Sequence, residues 1–173
     1  HDMKLVPFDV VAVEKKVERS IMISENRGVK LKGTIDRIDR VCHNGRNTLR
    51  VVDYKTGGKT EKAPTTASLF IPGKQHPHYI FQACLYSYLL SHGTQQTILP
   101  ALFFVNQASD EKYTPYLSVG GKELENFQEI STDFEAGLIS LLEDIYNTEK
   151  KFVQTEERSF CTSCPFSIIC KIS

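Results

Sequence analysis

Arg50-Val51-Val52-Asp53-Tyr54-Lys55-Thr56-Gly57 is the stretch on which the fold turns. An apolar run from Leu49 to Val52 delivers a carboxylate and an amine one residue apart, and Gly57-Gly58 then breaks the strand. Side chains alternate across a β-strand, so Asp53 and Lys55 project to one face and Tyr54 to the other. A lone D-x-K could be two ordinary surface neighbours. A second acidic segment upstream, around Asp36, gives the pair its interest.

Upstream, Asp9 to Val17 is β-rich and Ser20 to Ser24 continues as a strand, with Glu14 inside the first piece on a solvated face. Asn26 to Gly28 is a turn signal, which predicts a hairpin between 17–24 and 29–38. Its second arm alternates, with Gly33 and Ile35 on one face and Lys32, Thr34, Asp36 and Ile38 on the other. Asp36 then shares a face with an isoleucine, which is costly for a carboxylate unless it is paired or binds a cation. Asp39 is expected at the surface, paired with Arg37 or Arg40. His43 to Asn47 forms a turn, which makes 48–54 the next antiparallel strand.

Downstream, 57–76 is polar and punctuated by Gly and Pro, a long loop of a length associated with function or disorder. Lys59, Lys62 and Lys74, with Lys55, could form a local phosphate-contacting patch. His78 to Leu90 is a helix set between Pro77 and Gly93. Gln82 and Tyr86 share one face of it beside Tyr79, a pattern equally suited to plain packing. Ile98 to Val105 fits a buried central strand, and Tyr113 to Val119 an adjoining one that Pro115 places at an edge. An amphipathic helix is predicted over roughly 122–148, packing Leu124, Phe127, Ile130, Phe134, Leu138, Leu141 and Ile145 into the core. The pattern predicts an α/β protein, a mixed sheet with helices against it, with no internal repeat.

A chain of 173 residues can bury a real core as one domain. Its 21 basic and 21 acidic residues balance, so a nucleic-acid site would be a local patch and not a property of the whole surface. No apolar run reaches the roughly 18 residues of a membrane span, which predicts a soluble cytoplasmic protein. His1-Asp2-Met3 reads as a cloning remnant, and residues 4–173 as a domain excised from a larger protein. Within it, 159–173 is a cysteine-rich segment carrying Cys161, Cys164 and Cys170 in a C-x2-C-x5-C spacing. In a reducing cytosol such crowding points to zinc or an iron–sulfur cluster over disulfides, although four ligands are normal for either. Free thiols on a frayed tail are the alternative. Cys42, near a turn, and Cys84, inside an apolar helix, are expected to be ordinary thiols.

Two carboxylates converging from neighbouring strands can hold a hard divalent cation, and magnesium commonly binds through few carboxylates plus substrate phosphate. Such an ion can activate a water and neutralise charge on a phosphodiester under attack. A lysine one pleat away can orient or deprotonate that water, or stabilise the developing charge. Gly33-Thr34-Ile35-Asp36-Arg37-Ile38-Asp39, Val51-Val52-Asp53-Tyr54-Lys55-Thr56-Gly57 and Gln82-Ala83-Cys84-Leu85-Tyr86 together resemble the PD-(D/E)xK nuclease superfamily. They are most similar to its RecB and AddB branch, which includes CRISPR-associated RecB-like exonucleases.

The resemblance implies a restriction-endonuclease-like core, with a central mixed sheet flanked by helices. It makes Asp36 and Asp53 metal ligands for Mg2+ or Mn2+, Lys55 the catalytic lysine, and the backbone carbonyl of Tyr54 part of the metal shell. Gln82 and Tyr86 match a helix that supports the active site and is associated with DNA binding, and Glu14 matches an acidic strand residue of many relatives. Cys161, Cys164 and Cys170 match the C-terminal ligands of an AddB-type 4Fe-4S cluster. No cysteine precedes Cys42, so the fourth ligand is expected in upstream sequence, and this chain is expected to lack the cluster. Relatives also have an upstream helix that gives the metal a histidine or acid, and none is predicted here.

The function implied is a divalent-metal-dependent DNA nuclease, an exonuclease acting with a helicase domain or subunit in recombination or double-strand-break repair. The alternative is a catalytically inactive nuclease-fold module that binds DNA or braces a helicase partner. A zinc-bound interaction domain ranks last, because it leaves Asp36, Asp53 and Lys55 unexplained.

Overall fold

The residues from Asp9 to Lys55 form an antiparallel meander of three strands: β1 (Asp9–Ser24), β2 (Arg27–His43) and β3 (Arg46–Lys55). The computed structural model describes residues 7–73, 76–151, 153–156, 158–162 and 164–170. Asn44 and Gly45 make the second turn with φ of 48° and 75°, left-handed values that a tight hairpin needs and that Asn and Gly adopt most readily. From β3 the chain crosses over through α1 (His78–Ser91) to β4 (Thr97–Phe104), which lies parallel to β3. The sheet order is β1-β2-β3-β4, so β3 has a neighbour on each side and is buried from Thr48 to Asp53. A second helix, α2 (Ser131–Tyr146), packs Phe134, Leu138 and Leu142 into the core with Ile35, Val51, Ile80, Ala83 and Ile98. The result is a mixed sheet with helices against it. Among the described residues no helix is long and apolar enough to cross a membrane.

Three expectations need correction. The stretch 113–119 is not a continuous strand, because Pro115 has no N–H to offer a ladder. Against β4 the Leu102 N–H donates to the Pro115 carbonyl at 2.8 Å, and Tyr116 bridges Ala101. Ser118–Val119 (β5) then pairs with Lys122–Glu123 (β6) around Gly120 and Gly121, whose φ values of 66° and 79° make the turn.

The long helix begins only at Ser131. Asn126 accepts the Gln128 N–H and starts a separate 3-10 turn over Phe127–Glu129, which ends at Ile130 with φ of −118°. Leu124 and Phe127 reach the core from this irregular segment, so their three-residue spacing imitates a helix without being one. Within α2 the buried stripe is Phe134, Leu138 and Leu142, which leaves Leu141 half-buried and Ile145 63% exposed.

The alternation along β2 also slips. Ile35 and Ile38 are three apart yet both belong to the core. Val13 pairs with Arg37 and Lys15 with Ile35, but the intervening Glu14–Asp36 pair is missing and Glu14 has φ of 48°. Asp36 therefore sits half-buried beside an irregularity, between Ile35 and Ile38. The 57–76 loop is tied down as well. Ala63 bridges Val119, and a 3-10 turn over Ala67–Phe70 buries Leu69.

Candidate active site

Asp53 and Lys55 leave the C-terminal end of β3 on the face that α1 covers. Asp53 is 3% exposed, and Lys55 Nζ lies 2.5 Å from its Oδ2. The same ammonium donates to Gln82 Oε1 at 2.8 Å and stands 4.8 Å from the centre of the Tyr79 ring. Gln82 Nε2 in turn donates to the Tyr86 hydroxyl at 2.9 Å. The four-residue spacing of Gln82 and Tyr86 thus builds a relay on one helix face that ends on Lys55. Tyr86 packs against Gly33, where an added Cβ would be 2.8 Å from its ring, so that glycine lets the helix approach the sheet.

Asp36 reaches the site from β2. The last paired residues of β2 and β3 here are Arg37 and Val52, and one step further Asp36 Oδ2 accepts the Tyr54 N–H at 2.8 Å. Burial pushes the Asp53 carboxyl up, the Lys55 contact works against that, and the nearby Asp36 charge adds to it. Its anion is short of positive partners, a deficit that a cation removes. The oxygens on offer are two carboxylates and the Tyr54 backbone carbonyl, a hard donor set that fits magnesium or manganese. Among the described residues no three His, Cys, Asp or Glu come together.

Two contributors were not singled out by sequence. Glu61, the one acid in the 57–76 loop, accepts the Tyr79 and Ile80 N–H groups at 2.9 and 3.3 Å and lies 3.3 Å from His78. It caps α1, which the side chain of Pro77 cannot do. A single acid ahead of a proline-started helix was the available signal. Gly58 has φ of 87°, and a Cβ there would lie 2.9 Å from the Tyr79 ring, so the second of the strand-breaking glycines also seats that tyrosine against Lys55.

Other residues fall elsewhere. Glu14 is exposed, and so are Lys59 and Lys62, while Lys74 lies outside the described residues. Asp39 is not a surface residue. It is 0% exposed on the opposite side of the sheet and is held by Arg50 as well as by Arg37. Cys42 is exposed, and burial pushes the Cys84 thiol far up, as befits a packed thiol. Cys161 is buried at the end of the Arg158–Cys161 turn, with Cys164 and Cys170 half-buried after it. The Cys164 N–H donates to the Cys161 carbonyl at 3.2 Å. A 700 Å³ cleft lined by Phe70, Val119, Ile130 and Gly137 holds none of the candidate site residues.

A model of the PD-(D/E)XK nuclease superfamily matches residues 2–171. Among curated proteins, none matches the chain.

Proposed function

The chain belongs to the PD-(D/E)XK nuclease superfamily, with its restriction-endonuclease-like α/β fold, and on that footing we propose that it is a divalent-metal-dependent DNA nuclease. The observation that carries the reading is the convergence of Asp36, Asp53 and Lys55 at the end of β3, with Lys55 held by Gln82. Asp36, Asp53 and the Tyr54 carbonyl would hold Mg2+ or Mn2+. The ion, when bound, supplies a water acidified toward neutral pH and charge neutralisation on the scissile phosphate. Lys55 offers the N–H groups that Gln82 and Asp53 do not occupy to the charge that develops on the phosphate oxygens. Gln82, fixed by Tyr86, sets the direction of that amine. Burial of Asp53 keeps these interactions in a medium where they are stronger than in water.

The motifs favour an exonuclease of the RecB and AddB type, acting in the cytoplasm on ends delivered by a helicase during recombination or double-strand-break repair. A balance of 21 basic and 21 acidic residues fits a free-standing DNA binder poorly and is tolerable where a motor holds the DNA. In this reading residues 4–173 are one nuclease domain, and Cys161, Cys164 and Cys170 are three ligands of a 4Fe-4S cluster. Iron and visible absorption after reconstitution without oxygen support that assignment, and zinc in its place refutes it. The inactive DNA-binding module is the second reading, favoured by the engagement of Asp36 with the Tyr54 N–H.

The deciding experiment is Lys55→Ala on linear DNA with magnesium. Cleavage should fall by about 10²- to 10³-fold with DNA binding kept. Equal degradation by variant and wild type would remove Lys55 from the chemistry.

A further inference from the structure

The back of the sheet, away from α1, carries a buried charge cluster that the proposed reaction does not use. Arg50 grips Asp39 with both prongs, Nε to Oδ1 at 2.9 Å and Nη2 to Oδ2 at 2.8 Å. Arg37 Nη2 meets the same Oδ2 at 3.1 Å. The side chains of Asp39, Arg50 and Arg37 are 0%, 1% and 12% exposed. Both guanidinium groups lie near the Phe8 ring, and Arg37 also lies 5.5 Å from the centre of the Tyr54 ring.

Such a cluster is a poor way to gain stability. Removing charges from water costs several kcal/mol per ion, and packed apolar residues of similar volume often do as well or better. What a two-pronged Arg–carboxylate pair adds is geometry, because it holds two groups at one distance and in one plane. Here it joins directly opposed residues, since Asp39 and Arg50 are partners in the β2–β3 register. A one-residue slip would turn Asp53 and Lys55 away from α1. β2 is also the strand whose pairing with β1 fails at Asp36. Arg37 sits where the ladder ends. Its own pair with Val52 is the last before the site, the next residue is Asp36, and its guanidinium meets the ring of Tyr54, the residue whose N–H Asp36 holds.

We propose that Asp39, Arg50 and Arg37 are positioning residues that fix the β2–β3 register and the Tyr54 peptide from behind, so that Asp36 and Asp53 converge in front. The last step rests on reading those two aspartates as cation ligands. The ionic clamp sets the strands, and the Arg37–Tyr54 contact carries that setting to the peptide that Asp36 grips.

The test is Arg37→Leu, which keeps apolar bulk and leaves the Asp39–Arg50 pair in place. Three quantities are measured on the whole chain: Tyr54 amide hydrogen exchange without metal, Mn2+ affinity by calorimetry, and magnesium-dependent DNA cleavage. Exchange should speed up about tenfold, Mn2+ affinity should fall about tenfold, and kcat should drop while KM for DNA stays level, in a variant that melts as a folded protein. Tyr54→Leu should reproduce all three with the ion cluster intact, and it decides the matter if Arg37→Leu does not fold. Wild-type Tyr54 protection in the folded variant would overturn the inference. So would losses that appear only in step with a falling Tm. A wild type that binds Mn2+ without cutting DNA would sink the nuclease reading alone, because the exchange and binding measurements still judge the clamp.

Discussion

The two faces of β3 handle charge in opposite ways. Behind the sheet, Asp39 is met by two guanidinium groups and every distance is short, so its charge is answered from within the protein. In front, Asp53 is nearly as buried, has Lys55 as its ion-pair partner, and feels a second carboxylate from Asp36. The buried carboxylate behind has two cations to itself, whereas the one in front has one cation and a carboxylate neighbour. A buried carboxylate left short of positive charge is where an external cation has most to gain, and this separates the functional aspartates from the structural one better than sequence position does.

If that contrast holds, removing the carboxylate behind should cost stability most, and altering the front should cost activity with the fold kept. The largest effect is expected from Asp39→Ala, which leaves Arg50 buried without its carboxylate. A loss of about 3–5 kcal/mol is expected, seen as a fall in Tm of about 10 °C. A Tm within a few degrees of wild type would mean that the back face is not self-contained. Next comes Gln82→Leu on the front, which frees the Lys55 amine. Turnover should fall roughly tenfold to a hundredfold with KM and Tm nearly unchanged, read from steady-state cleavage and melting of the same preparation. A melting loss as large as that of Asp39→Ala would erase the distinction.

Gly58→Ala should be milder. The left-handed backbone and the Tyr79 ring both oppose a Cβ there, at a cost of about 1–2 kcal/mol in a denaturant titration. The smallest effect concerns Asp53→Asn without metal. Burial raises the folded pKa of Asp53 above the ordinary aspartate value of 3.8, so the native state binds the proton more tightly than the unfolded one. That contribution to stability is full below the unfolded value and is lost as pH rises through the folded one. The variant should therefore gain on wild type as pH rises through that window, and magnesium should then stabilise wild type but not the variant. A constant difference across pH would show that Asp53 is not strained in the folded state.

Much of this was legible from residues. Alternation around Asp53 and Lys55 set the right side chains in front, and Pro77 and Gly93 bracketed α1, because both patterns are local. Asp39 was misplaced because its environment depends on Arg50 of the next strand. The signal existed all the same: a two-residue Asn44-Gly45 turn puts Asp39 opposite Arg50. The start of α2 was hidden for a different reason. Leu124, Phe127 and Ile130 keep a helical spacing through a segment that Gly120, Gly121 and Asn126 had already committed to turns.

The connection from β3 to β4 has a consequence for how the molecule assembles. β1, β2 and β3 join through two short turns, so the strands carrying Asp36 and Asp53 can meet after little loop closure. β4 pairs with β3 only after some forty residues of loop and helix have been gathered in, and its parallel contacts are the non-local ones that slow folding. Gln82 rides on that crossover. The carboxylates should therefore find each other early, and Lys55 should acquire its fixed direction last, when α1 docks. A chain caught before that step would already hold its acidic pair while its lysine still swung free.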